Sequence, residues 1–213
     1  MQIETFVSGK MLENGYVLWN DAGEAVLIDP GFTTEQEFNG LAAFIDGRGL
    51  KPLAILVTHP HFDHIAGVDA VSNRYGIECW INGEDEALLE KNDFFSNMYG
   101  SHLETKVNFK KFSPDVKVLD FGKISLQVLP ISGHTAGSVA FYSPEAKALF
   151  AGDTLTKGSL GFLETGYGAV LECIKEMILC LPDDTVIHYG HGVASSIGEE
   201  KKNNRFFKRS AAL

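Results

Sequence analysis

Residues 58–64 read THPHFDH, and they follow directly on the apolar run PLAILV, which is typical of a buried central strand. This short segment holds three of the seven histidines of the chain together with one aspartate. In an extended loop, residues i and i+2 point to the same side, so His59 and His61 can bind one ion. Asp63 and His64 follow within a turn and can face a second ion beside it. Because histidine and aspartate together suit zinc, iron or manganese, the segment predicts a metal site.

Three further metal-binding side chains stand next to glycines and next to predicted strands. They are His134 in SGHTAGS, Asp153 in AGDTL and His191 in YGHG. Glycine lets the backbone approach a site closely, and loops at strand ends bring side chains together at one edge of a sheet. A single histidine of this kind is ordinarily a structural residue that makes hydrogen bonds to its neighbours. Five histidines and two aspartates at strand ends favour one shared site instead.

The order of predicted elements indicates an α/β fold with two groups of strands. Strands are predicted at 2–8, 14–21 and 24–31, with turns at Gly15 and Gly23, and residues 101–115 read as a loop. Apolar residues at helical spacing predict helices over 33–49 and 168–182, and a terminal helix over 197–207. We therefore expect two sheets packed face to face with helices outside, a four-layer αββα sandwich, formed as a single domain over 1–213.

Composition and charge limit the classes of partner. The net charge of −10 argues against a nucleic-acid binder, which needs a basic face. The basic residues between 201 and 209 read as a solvated charge run. No signal peptide and no apolar run long enough to cross a bilayer is found in the sequence, so no membrane partner is expected. Three widely spaced cysteines without a CxxC pair predict a reducing, cytoplasmic setting and a small-molecule partner rather than a disulfide scaffold.

The motifs THPHFDH, GHTAGS, AGDTL and GHG, in this order and spacing, resemble those of the metallo-β-lactamase-fold superfamily. Within it, AGDTLTKGSLG and TVIHYGHGVASSIGEEKKNN are most similar to the small bacterial glyoxalase II-like hydrolases. The resemblance spans residues 26–207 and implies two divalent metal ions, zinc first, with iron or manganese as alternatives. It implies that the first metal is bound by His59, His61 and His134. It implies that the second metal is bound by Asp63, His64 and His191, and that the carboxylate of Asp153 bridges the two.

The reaction that the resemblance implies is hydrolysis of a thioester of the hydroxyacylglutathione type, or of a related small ester. A hydroxide shared by two metals attacks the carbonyl, and Asp63 accepts or relays the proton. The chain then needs no serine or cysteine nucleophile. Asp29, in DPG, is expected to support a ligand or shape a turn. His188 is expected to be structural or to lie beside the site, and His102 to be exposed.

The sequence departs from these relatives in two places that concern the substrate. It is predicted to lack the C-terminal helical domain that contacts glutathione in full-length glyoxalase II enzymes. Phe162, Leu163 and Glu164 stand where the small relatives carry an Arg-Thr-Asp run. Loss of that arginine removes a planar cation and favours a less anionic substrate. Lys201 and Lys202 offer replacement charge only if the terminal helix folds toward the site.

An iron-dependent enzyme similar to the persulfide dioxygenases of the same fold is the alternative. There, His59, His134 and Asp153 would hold one ferrous ion with open positions for oxygen and thiol. Hydrolysis of β-lactams is disfavoured, because the lactam-opening relatives typically carry cysteine or serine where Asp153 stands.

Overall fold

The structure is a computed structural model that describes residues 1–90, 106–163 and 166–208. The predictions made for His102 and Glu164 lie outside the described residues.

The first sheet has six strands in chain order. They are β1 (Gln2–Ser8), β2 (Glu13–Trp19), β3 (Glu24–Ile28), β4 (Lys51–Leu56), β5 (Glu78–Asn82) and β6 (Lys110–Phe112). Neighbouring strands from β1 to β3 are antiparallel, and those from β3 to β6 are parallel. The parallel half directs the carboxyl ends of β3 and β4 to the same edge, and the THPHFDH segment follows β4 there.

The second sheet also has six strands, in the order β14, β13, β10, β9, β8, β7. They are β7 (Val118–Phe121), β8 (Ile124–Pro130), β9 (Val139–Ser143), β10 (Ala148–Phe150), β13 (Val186–His188) and β14 (Ser195–Ser196). A small hairpin of β11 (Leu155–Thr156) and β12 (Ser159–Leu160) follows β10. Because β10 and β13 are parallel, the loops that carry Asp153 and His191 leave the sheet in the same direction.

Alternation along β2 shows how the layers form. Val17 and Trp19 pack in one core with helices α1 (Glu35–Gly47) and α3 (Val68–Tyr75), whereas Tyr16 and Leu18 pack in a second core between the sheets. Successive side chains of a strand point to opposite faces, so one strand serves both cores. The outer face of the second sheet is covered by α5 (Tyr167–Met177) and α6 (Ile197–Asn203). The predicted αββα sandwich is confirmed.

Short helices complete the described chain: α2 (Phe62–Ile65), a 3₁₀ turn at Gly83–Asp85, α4 (Glu86–Leu89) and α7 (Arg205–Lys208). The predicted terminal helix is thus two helices, because Asn204 between them is extended, with φ of −67° and ψ of 123°. Its side chain donates to the carbonyl of Ser159 and to the carboxylate of Glu200, which fixes the break.

Two predictions about the strands were wrong. Gly15 lies inside β2 rather than at a turn, which instead falls between Ser8 and Glu13. A Cβ at Gly15 would lie 2.8 Å from the carbonyl oxygen of Asp29, so this glycine serves a close approach of two backbones. The predicted loop 101–115 contains the edge strand β6, whose three residues are too few to show alternation in sequence. No helix within 1–90, 106–163 and 166–208 is long and apolar enough to cross a membrane.

Candidate metal centre

The structure brings all seven predicted ligand residues to one edge of the sandwich. His59 and His61 lie in the loop after β4, and Asp63 and His64 lie on the short helix α2. The other three lie between strands of the second sheet: His134 between β8 and β9, Asp153 after β10, and His191 after β13. The sequence motifs therefore meet because both sheets direct their loops to the same side.

The first group consists of His59, His61 and His134, whose ligand atoms all lie within 4.8 Å of one another. Nδ1 of His61 is 2.9 Å from Nε2 of His134. The ring of His134 is oriented by a hydrogen bond of 2.7 Å from its Nδ1 to the carbonyl of Phe162, and Nδ1 of His59 is 3.1 Å from Oγ1 of Thr58. These contacts turn Nε2 of His59 and of His134 toward the centre, where each can donate a lone pair.

The second group consists of Asp63, His64 and His191, again with ligand atoms within 4.8 Å of one another. Nε2 of His191 is 3.3 Å from Oδ2 of Asp63. Its Nδ1 lies 3.1 Å from the carbonyl of Met11, in the turn between β1 and β2. Here too the outer ring nitrogen is held by the protein, so the inner nitrogen faces the centre.

Asp153 lies between the two groups. Its Oδ2 is 3.5 Å from Nε2 of His64, 3.3 Å from Nε2 of His191 and 3.8 Å from Nε2 of His134. One carboxylate is therefore close to histidines of both groups. Gly190 makes room for it, since a Cβ at that position would lie 2.1 Å from Oδ1 of Asp153.

Three buried polar atoms at the centre have no hydrogen-bond partner among the described residues. They are Nε2 of His59, Nε2 of His64 and Oδ1 of Asp153. Leaving such an atom unpaired costs about 1–3 kcal/mol, and more for a charged group. A divalent cation satisfies all three, and a donor set of imidazole nitrogens and carboxylate oxygens suits zinc, iron or manganese. The residues thus fit a divalent metal.

The electrostatics of His59, His61 and Asp153 agree with this fit. Burial lowers the pKa of His61 to about 4 and that of His59 well below its ordinary value, so both rings stay neutral near pH 7 and keep a lone pair. Burial alone would raise the pKa of Asp153, but the charge of His64 and the contact with Nε2 of His191 hold that pKa well below its usual value. The carboxylate is therefore ionised and attracts cations. Despite burial, contacts with Asp153 raise the pKa of His64 and of His191, so a metal ion would have to displace a proton from each of these two rings.

Glu13, Asn14 and Thr58 also contribute to the centre and were not predicted from the sequence. Glu13 is fully buried on β2, and its Oε1 has no hydrogen-bond partner among the described residues and lies 3.8 Å from Nδ1 of His64. The amide of Asn14 donates to the carbonyls of Tyr189 and Gly192, which fixes the loop that carries His191. The signal in the sequence is the polar pair Glu-Asn at the start of a strand whose other residues are mostly apolar.

Asp29 supports both metal-binding segments. It adopts an unusual φ of +47° and accepts hydrogen bonds from the backbone N–H of Thr58 at 2.7 Å, from its hydroxyl at 2.6 Å and from Nδ1 of His64 at 3.1 Å. The expectation that Asp29 touches a ligand is met by the last of these contacts. Carboxylates that orient metal-binding histidines also raise their basicity as ligands.

We expect Asp29→Asn to weaken zinc binding by about 10- to 100-fold, the usual effect of losing such a supporting group. Asparagine tolerates the positive φ but presents an N–H group where Thr58 and His64 need an acceptor. Competition titration with a chelating dye measures the affinity. Asp120→Asn is the matched control, because Asp120 is exposed on β7. Equal affinity of the Asp29 and Asp120 variants would refute the supporting role.

His188 lies between the sheets rather than among the metal-binding residues. Its ring stacks on Phe150 at 5.1 Å and meets the edge of Tyr16 at 5.1 Å. Burial lowers its pKa to about 4. The expectation of a structural position is consistent with these contacts.

The buried ring of His188 predicts an acid-sensitive contribution to stability. An unfolded histidine titrates near 6.5, so between pH 6.5 and 4 the unfolded chain binds a proton that the folded chain does not. Wild-type protein should therefore lose up to about 3 kcal/mol of unfolding free energy over this range, a loss that His188→Phe removes. Urea titrations of metal-free protein at several pH values measure the difference. An equal loss of unfolding free energy with acid in wild type and in His188→Phe would contradict the assignment of this loss to His188.

Lys201 does not extend toward the centre. Its Nζ lies 2.5 Å from Oδ1 of Asp183, which precedes β13, whereas His191 follows that strand. The condition under which Lys201 would offer charge to the substrate is therefore not met, because its ammonium group pairs with Asp183 at the opposite end of β13.

Comparison with known proteins agrees with this geometry. The family model described as the metallo-beta-lactamase superfamily matches residues 9–192, so the chain belongs to this superfamily, as its motifs predicted. Hydroxyacylglutathione hydrolase GloC of Haemophilus influenzae is 29% identical over 211 residues, which cover 97% of this chain and 98% of that protein.

Two solved structures are similar over nearly their whole length. The crystal structure of the B3 metallo-beta-lactamase BLEG-1 is 34% identical, with a TM-score of 0.85 and coverage of 97% of this chain and 99% of that one. The structure of TTHA1623 in a di-iron-bound form is 35% identical, with a TM-score of 0.79 and coverage of 93% and 96%. The superfamily fold binds divalent metals, and the two histidine and aspartate groups of this chain fit that property.

Proposed function

We propose that this protein is a dinuclear metal-dependent hydrolase that cleaves a thioester, of the hydroxyacylglutathione type, or a related small ester. The observation that carries the proposal is the pair of ligand groups that share Asp153, together with the unpaired Nε2 atoms of His59 and His64. The similarity to a hydroxyacylglutathione hydrolase supports the choice of ester. The proposal includes zinc as the metal and a cytoplasmic setting, which the free thiols of all three cysteines favour.

In this proposal His59, His61 and His134 would hold one ion, Asp63, His64 and His191 would hold the other, and Asp153 would be a ligand to both. Two bound divalent ions supply Lewis acidity toward a carbonyl group and lower the pKa of water toward about 7. Asp63 is the residue that holds or passes on the proton, because its Oδ2 lies 3.3 Å from Nε2 of His191 and its side chain borders a cavity open to solvent. No hydroxyl or thiol nucleophile is needed, and the hydroxyl of Thr58 is already engaged with Asp29.

A single-iron dioxygenase is the second candidate. His134 and Asp153, two members of its predicted iron set, lie 3.8 Å apart, and a similar structure shows that the fold accepts iron, although it holds two iron ions. Such an enzyme would oxidise a persulfide with molecular oxygen rather than cleave an ester.

Metal analysis followed by parallel assays separates the candidates. Protein reloaded with zinc, manganese or ferrous iron is tested with S-lactoylglutathione and S-acetyl thioesters, with glutathione persulfide in an oxygen electrode, and with a chromogenic β-lactam. The proposal predicts thioester cleavage without oxygen uptake. Oxygen consumption with one iron per chain, or lactam opening as the only activity, would overturn it.

A further inference from the structure

A small cavity of about 220 Å³ adjoins the candidate metal centre at Asp63. It is lined by Gly31, Thr33, Phe62 and Asp63 and by the turn between β1 and β2, which contributes Gly9, Lys10 and Met11. Most of the surface it exposes is carbon. Asp63 belongs both to the cavity and to the second ligand group, so a molecule in the cavity touches the centre directly.

The walls of the cavity are held in place by one carboxylate. Oε1 of Glu37, on α1, accepts a hydrogen bond of 2.8 Å from the backbone N–H of Gly9, and its Oε2 accepts one of 2.9 Å from the backbone N–H of Thr33. The same turn presents the carbonyl of Met11 to Nδ1 of His191. The cavity is thus a preformed part of the centre, and the side chain of Met11 is free to vary without loss of that backbone contact.

We infer that this cavity receives a short apolar chain carried by the substrate. The inference rests on the proposed function and specifies its substrate class. A non-hydrogen atom occupies roughly 30 Å³ in a liquid, so the cavity accommodates a chain of several carbons. Lys10 and Asp63 are the charged residues of the lining, and the rest of it, with the buried ring of Phe62, offers such a chain an apolar surface. The chain belongs either to the acyl group or to the leaving group of the ester.

Two substrate series identify which part of the ester enters. One series extends the acyl group from acetyl to octanoyl on N-acetylcysteamine, and the other extends the thiol from methyl to hexyl on acetate. In one of the two substrate series, kcat/KM should rise by up to about fourfold for each added methylene group and then level off when the cavity is full. Thr33→Phe fills the cavity and should lower the ratio of six-carbon to two-carbon substrate by at least about tenfold. Val193→Phe is the matched control, because Val193 is an exposed residue two positions beyond His191 that does not line the cavity.

Binding of 1-hexanol separates failure of this inference from failure of the proposed function. In NMR titrations of the wild-type protein, saturable shifts are expected at the methyl groups of Met11 and Thr33. The hexanol affinity read from the Met11 methyl group should fall by at least about tenfold in Thr33→Phe. This readout needs no hydrolysis, so it stands even if the enzyme catalyses another reaction. Flat profiles in both series would overturn the inference, as would equal effects of Thr33→Phe and Val193→Phe or the absence of saturable hexanol binding.

Discussion

Replacing Asp153 with alanine is expected to lower kcat/KM by at least about a thousandfold, because the carboxylate is the group nearest to both ligand sets. Its Oδ2 lies within 3.8 Å of one inner nitrogen on each of His64, His134 and His191. Removal leaves these nitrogens without their shared anionic neighbour and takes one negative charge from the centre. Steady-state kinetics with the best thioester, together with the metal content of the same preparation, measures the effect.

Asp153→Asn provides the conservative comparison, since it keeps the size of the side chain but loses the charge. We expect it to retain the fold and to lose activity nearly as severely as the alanine variant. Asp120→Ala serves as the control for an exposed aspartate of the second sheet. Activity of Asp153→Ala within about tenfold of wild type would show that this carboxylate does not join the two groups.

Gly190→Ala is expected to reduce activity by about a hundredfold, although alanine adds only one methyl group. The added Cβ would lie 2.1 Å from Oδ1 of Asp153 and 2.6 Å from Cε1 of His64, so at least one of these side chains must shift. Displacing catalytic groups by about 1 Å costs on the order of a hundredfold in rate. Crowding of this kind also lowers the free energy of unfolding by about 1–3 kcal/mol. Kinetics and urea denaturation of the same variant record both effects.

Gly40→Ala is the matched control for this glycine. Gly40 is exposed in the middle of α1, and a Cβ there meets nothing within 4 Å. Alanine at that position should leave the rate unchanged and raise the free energy of unfolding by about 0.5–1 kcal/mol, because glycine is unfavourable inside a helix. If Gly190→Ala and Gly40→Ala had the same activity and the same free energy of unfolding, the space beside Asp153 would not depend on Gly190.

The site could be predicted from the sequence to the extent that its residues belong to contiguous, unusual motifs. THPHFDH places three histidines and one aspartate in the six positions 59–64, and the glycines beside His134, Asp153 and His191 mark close approaches of the backbone. Because these signals lie in contiguous stretches of sequence, they can be recognised without knowledge of the fold. Spacing within THPHFDH paired His59 with His61 and Asp63 with His64, whereas the assignment of His134, Asp153 and His191 came from the resemblance to a family.

Contacts between distant segments were beyond the reach of sequence patterns. Glu13 comes next to His64 because β2 and the loop after β4 converge, and nothing in the sequence near Glu13 indicates a histidine 51 positions away. Gly15 was misread as a turn because a glycine that admits a neighbouring backbone looks the same in sequence as one that permits a positive φ. The position of Lys201 could not be predicted for a similar reason, since its contact with Asp183 depends on how α6 packs.

Anomalous diffraction from crystals of zinc-loaded protein tests the central claim most directly, because it gives both the number and the position of the bound ions. We expect two peaks per chain, one among His59, His61 and His134, and one among Asp63, His64 and His191, with Asp153 in contact with both. A single peak, or no peak among these residues in fully loaded protein, would contradict the dinuclear account.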